Sequence, residues 1–189
     1  MTQIKVMYEN LNSYMTFCFI HAKIKNTHYL YNEQKDEGEM KAIIVIDMQE
    51  DYVKQYELDL LNRVNKRIMQ AKKNNEHIIY IKNTKILRSG TYTPEFATGL
   101  QILSSNIFCK EAASMFTNNN LETYLKDNKI TEIELLGVDG NSCVAISAVE
   151  GYKNGYTTIL PCSYIGAKNK ERFLQKKEQL RKSGIVIWE

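Results

Sequence analysis

Residues 41–47 read KAIIVID, an unbroken apolar run that stops at an aspartate. A strand with one wet face alternates apolar and polar residues. A run without alternation needs cover on both faces, as in a parallel sheet packed between helices. The requirement recurs along the chain: HIIYIK at 77–82, a weaker SNIFCK at 105–110, EIELLGV at 132–138, TTILP at 157–161 and IVIW at 185–188. Segments of helical pattern lie between them. Residues 57–75 put Leu61, Val64, Ile68 and Ala71 at helical spacing. A second helix is expected from about Asn118, where TNNN supplies capping side chains and Leu121, Tyr124 and Leu125 share one side. A third follows Ser142, and a fourth is the lysine-rich segment from Lys168 to Lys182. The order β-α-β-β-α-β-α-β-α-β predicts a layered α/β domain with a mostly parallel sheet.

A chain of 189 residues suffices for one such domain with a sizeable core. Its 43% hydrophobic and 25% charged residues exclude wholesale disorder. The net charge of +3 is modest, and the crowded lysines of 168–182 are mixed with acidic residues. That is a solvated helix face, with no basic-aromatic pattern for nucleic acid. Cys18, Cys109, Cys143 and Cys162 form no CxxC pair and are expected to be free thiols. The apolar patch Phe17–Ile20 is too short for a signal core or a membrane span, so the expected compartment is the cytoplasm. Residues 1–39 lack any sustained period and end in the polar stretch NEQKDEGE, so the layered α/β pattern occupies 40–189. The first 39 residues are either an extension packed on the surface or a mis-assigned start, with Met40 as the native initiator. Codons for Glu37-Gly38-Glu39 can contain a bacterial ribosome-binding sequence, which favours the second option in a bacterial source.

In open parallel sheets, ligands gather at the carboxyl ends of the strands. Asp47, Lys110 and the loop from Gly137 to Cys143 all fall at such ends. A thiol attacks carbonyls as thiolate, and a free cysteine with a pKa near ~8.5 is only a few per cent ionised at neutral pH. The helix start at Cys143 and the cation of Lys110 are expected to lower that value, while the helix N–H groups stabilise an oxyanion. Asp47 is positioned to carry the thiol proton to a leaving amine. Taken singly, each residue has a bland alternative: Cys143 an inert buried thiol, Asp47 a turn cap, Lys110 a surface lysine.

IVIDMQEDY at 44–52, CKEAASMF at 109–116 and GVDGNSCV at 137–144 followed by SAVEGYKNGY resemble, in order and spacing, the isochorismatase-like cysteine hydrolases. The resemblance runs from about Lys41 to Tyr156 and more weakly to the C-terminus. It implies a Rossmann-like, three-layer α/β/α fold with a six-stranded parallel sheet. It further implies a triad in which Asp47 is the general base, Lys110 the charge stabiliser and Cys143 the nucleophile. A cis peptide would join Val138 to Asp139, and the backbone N–H groups of Asp139 and Cys143 would form the oxyanion hole. Tyr52 takes the position of a substrate-lining aromatic. The reading is a metal-independent hydrolase, without cofactor, acting on a small amide or carbamoyl compound. A homodimer or higher homo-oligomer is expected. The alternatives are vinyl-ether cleavage of an isochorismate-like substrate, or a non-catalytic binding or redox-sensing protein on the same scaffold.

The departures from the family pattern are specific. Nicotinamidase branches carry an Asp-His metal segment after the second strand, but KNTKILRSGTYTPEF at 82–96 has no histidine. His77 starts a strand, where a structural role is expected, and no zinc or iron site is predicted. Asp139 stands where a small neutral residue is usual, Gly140 replaces a frequent threonine and should loosen the loop, and Pro161-Cys162 replaces Asp-Ala. Residues 83–101 are expected to form part of the pocket rim, with Arg88 a solvated loop residue. Cys109 and Cys162 are read as structural.

Overall fold

The computed structural model describes residues 40–189. The readings for residues 1–39, with Cys18, His21 and His28 among them, lie outside the described residues. Strand β1 (Met40–Ile46) is the first element. It is followed by the single turn α1 (Glu50–Val53), helix α2 (Leu60–Lys73), β2 (His77–Asn83) and the short pair β3 (Lys85–Leu87) and β4 (Gly90–Tyr92). Then come β5 (Ile107–Lys110), α3 (Asn119–Asp127), β6 (Ile130–Val138) and α4 (Cys143–Lys153). The chain ends with β7 (Thr157–Pro161), β8 (Ile165–Gly166), α5 (Lys170–Lys182) and β9 (Val186–Trp188).

The main sheet runs β5-β2-β1-β6-β7-β9, with two-residue β8 paired to the end of β6. Every pairing in it is parallel. The expected α/β fold is therefore observed, with β8 as a seventh strand. The period-2 geometry of a strand divides β1 between two cores. Ala42, Ile44 and Ile46 face the side of α3, α4 and α5. Ile43 and Val45 face the side of α2, beside Leu60, Val64, Ile68 and Ala71. All five of these β1 side chains are fully buried, at about 1.5–3 kcal/mol for each isoleucine or valine, so the KAIIVID run is dictated by its two covers.

Two features were not legible in the sequence. β3 and β4 form a separate antiparallel hairpin that interrupts the β/α alternation. Beneath α2, the buried Glu134 of β6 accepts two hydrogen bonds from Arg67, each 2.7 Å, and pairs with Lys41 at 2.9 Å. Arg67 also reaches Glu76 at 2.5 Å. Apolar periodicity carries no signal for an ion cluster inside a core.

Candidate active site

Gly137, near the end of β6, has φ +105°, and a Cβ there would lie 2.1 Å from the Ile46 carbonyl oxygen. Only glycine lets β6 approach the end of β1 this closely. The next residues form the cysteine loop. The Val138–Asp139 peptide is cis. Gly140 donates its N–H to Gly166 O at 2.8 Å, and a Cβ on it would meet the Phe173 ring at 2.7 Å. The loop is thus wedged against α5, contrary to the loosening expected of glycine at this point, because the missing side chain admits a close neighbour. Pro161 closes β7 and Cys162 opens a 3₁₀ turn that leads into β8.

Asp47 follows β1 in the left-handed region, φ +53°, a conformation that a non-glycine residue adopts at a cost. Its N–H bonds Ile81 O at 3.0 Å, which fixes the turn. Lys110 ends β5 and Cys143 begins α4. The Lys110 ammonium lies 2.9 Å from Asp47 Oδ2 and 3.5 Å from Cys143 Sγ. It also donates to Ala112 O at 3.1 Å and Asn83 Oδ1 at 3.3 Å. Asp47 Oδ1 is buried without a hydrogen-bond partner among the described residues. Neither the Asp139 nor the Cys143 backbone N–H is spent on an acceptor among the described residues.

The electrostatics differ from the sequence expectation. Burial pushes the Cys143 thiol up, the Asp47 charge adds to that, and Lys110 opposes both without prevailing. Burial also raises the Asp47 carboxyl, against the charge and hydrogen bond of Lys110. The thiol is therefore not acidified at rest: desolvation outweighs one nearby ammonium.

A cavity of about 190 Å³ opens over these groups, lined by Asp47, Tyr52, Tyr56, Asn83, Asp139 and Cys143, among others. Tyr52 is held by an Asn83 Nδ2 donor at 2.8 Å. Asn83 is in turn locked by buried Gln49, whose Oε1 accepts the Asn83 N–H at 2.7 Å. Sequence reasoning missed Tyr56, Gln49 and the rim residue Lys168. The motif segment ending at Tyr52 contained Gln49, but its role is to clamp a strand end. Of the region 83–101, Asn83 reaches the cavity, whereas Arg88 is exposed and does not line it. Cys109 is exposed on β5, and Cys162 is half-buried at the end of β7. His77 bonds the Tyr124 hydroxyl at 3.0 Å, at the opposite end of β2.

The isochorismatase domain family matches residues 41–188, nearly the whole described chain. The protein belongs to the isochorismatase family. Members of this family are hydrolases, and the chain is one of them. No curated protein matches it in sequence. Among solved structures, an isochorismatase-like hydrolase from Alkaliphilus metalliredigens is similar at 22% identity and TM-score 0.70, covering 79% of this chain and 94% of its own. The nicotinamidase of Staphylococcus aureus aligns at 18% identity and TM-score 0.68, over 79% and 98%. The pyrazinamidase of Pyrococcus horikoshii, solved in complex with zinc, aligns at 22% identity and TM-score 0.64, over 78% and 97%. These likenesses concern the fold.

Zinc does not suit the residues of this isochorismatase-family site. The cavity lining contains no histidine, and among the described residues no three His, Cys, Asp or Glu side chains converge as a ligand set. The Asp47 carboxylate is already engaged by Lys110.

Proposed function

We propose that the protein is a metal-independent cysteine hydrolase that cleaves the C–N bond of a small amide or carbamoyl compound through a Cys143 acyl-enzyme. The observation that carries this is the Lys110 ammonium lying 2.9 Å from Asp47 and 3.5 Å from Cys143. As Sγ bonds the substrate carbonyl carbon, the thiol proton passes to Asp47, whose unpartnered Oδ1 is free to take it. The raised affinity of Asp47 for a proton favours this transfer. Lys110 stabilises the negative charge shared by carboxylate and sulfur during the transfer. The carbonyl oxygen becomes an oxyanion held by the Asp139 and Cys143 N–H groups. Collapse breaks the C–N bond, and Asp47 returns the proton to the departing nitrogen. Water then loses a proton to Asp47 and attacks the thioester. The acid product leaves, and the proton on Asp47 restores the thiol.

The chain is further expected to work as a homodimer or larger assembly, as the family resemblance implies, and in the cytoplasm. Vinyl-ether cleavage is the second reading within the scaffold, but it makes no demand on the thiol that Lys110 and Asp47 flank. A non-catalytic or redox-sensing protein would not need Asp47 Oδ1 left free beside that thiol.

The test is a panel of small amides and carbamoyl compounds, with and without a chelator, followed by acid quench and mass spectrometry. The expected result is chelator-resistant turnover and a Cys143 peptide heavier by the acyl group. A Cys143→Ala variant that keeps full turnover would overturn covalent catalysis.

A further inference from the structure

A second carboxylate lines the cavity, and the steps above make no use of it. Asp139 is half-buried in the cysteine loop, with its Oδ1 accepting the Asn141 N–H at 2.9 Å and Asn141 Nδ2 at 3.4 Å. Tyr56 lines the cavity with it, and burial first, then the Asp139 carboxylate, push the Tyr56 hydroxyl well above the ordinary tyrosine range. The Asn141 contacts fix the group without neutralising it. Among the described residues, no lysine, arginine or histidine forms an ion pair with it, although Lys168 shares the cavity rim. Asp47, by contrast, has Lys110 at 2.9 Å.

The position matters because the Asp139 backbone N–H is one of the two donors assigned to the oxyanion. Its carboxylate rides on the same residue, a few ångströms from where negative charge develops. Like charges about 5 Å apart at a protein surface repel by an energy on the order of a hundredfold in rate. An electroneutral substrate leaves that repulsion uncompensated. A substrate bearing a positive charge beside its carbonyl cancels it, and gains most when the oxyanion forms. The Tyr52 ring already carries the Lys85 ammonium at 5.0 Å, but the Tyr56 ring lines the same cavity, and an aromatic face attracts a cation further.

We infer that Asp139 is a specificity-determining residue that selects small cationic amides, with the positive nitrogen close to the scissile carbonyl. This rests on the hydrolase reading of the same site. The matched probes are betaine amide and its uncharged isostere 3,3-dimethylbutanamide, which differ only in nitrogen for carbon at the branched centre. The wild-type kcat/KM should favour betaine amide by about tenfold or more, and Asp139→Asn should bring the ratio near one. The readout is a ratio, so a general loss of activity does not move it. If Asp139→Asn fails to fold by circular dichroism, Asp139→Ser, which keeps an acceptor near the Asn141 N–H, replaces it. A wild-type preference for the uncharged amide, or an unchanged ratio in the variant, overturns the inference. If neither amide is hydrolysed and no acyl-enzyme forms on the wider panel, the hydrolase reading fails instead. Calorimetric binding then decides about Asp139: betaine amide binding weakened about tenfold by Asp139→Asn sustains its role, and equal or absent binding overturns it.

Discussion

Asp47 and Cys143 flank one ammonium, the carboxyl buried and the thiol half-buried. Burial raises both, and Lys110 reverses neither. In the free protein, iodoacetamide should therefore alkylate Cys143 with an apparent pKa no lower than that of an ordinary thiol, about 8.5. That outcome would have spoken against a pre-formed thiolate. In this geometry it is expected, because the proton moves only as the carbonyl arrives. The Asp47→Asn variant separates the two roles of the carboxylate. Burial still raises the thiol, but removing the Asp47 charge leaves Lys110 unopposed, so alkylation should shift to lower pH. Turnover should nonetheless fall by about 10²–10⁴, since the proton acceptor is gone. A variant with an unshifted alkylation profile, or one that retains turnover, would contradict the assignment of Asp47 as base.

At the scale of elements, the site depends on how closely β1 and β6 approach. Gly137→Ala would drive a methyl group into the Ile46 carbonyl from a left-handed φ of +105°. We expect a loss of at least about 2 kcal/mol in chemical denaturation, with activity falling because Asp47 and the cysteine loop sit on the two strands involved. The ion cluster under α2 makes a second prediction. Burial pushes Glu134 up, but the hydrogen bonds and charges of Arg67 and Lys41 outweigh it, and its carboxyl stands below the ordinary range. Glu134→Gln leaves Arg67 with Glu76 and Lys41 with Glu132 as their remaining carboxylates, and should cost about 1–3 kcal/mol. The sign with pH follows: a depressed folded pKa adds stability above the unfolded value near ~4.3, lost as pH falls through the folded one. The gap between wild type and Glu134→Gln should therefore be widest near neutrality and narrow in acid. Urea titrations at several pH values check it, and a pH-independent gap would mean the charge on Glu134 is immaterial. The hairpin β3–β4 shows the opposite limit of sequence reading. Its strands are three residues each, and every residue but Lys85 is exposed, so no apolar pattern announces them.

At the scale of the whole molecule, the strand order β5-β2-β1-β6 brings Lys110, Asn83, Asp47 and Cys143 to one end of the sheet. Among the described residues, no helix is long and apolar enough to cross a membrane. The alternation of buried runs and amphipathic segments determined the layered α/β fold, because burial on two faces is written locally as an unbroken apolar stretch. The same local logic, with the motif residues, pointed to Asp47, Lys110 and Cys143 as strand-end groups. Contacts between residues remote in the chain were decided only in three dimensions. They include Gln49 against Asn83, Gly140 against Phe173, and Arg67 against Glu134. The direction of the thiol's pKa belongs with them. Sequence shows a cation and a helix start near the cysteine, but the solvent removed by the surrounding chain is a property of tertiary packing. Desolvation outweighs the ammonium, and it acts only once the fold has closed.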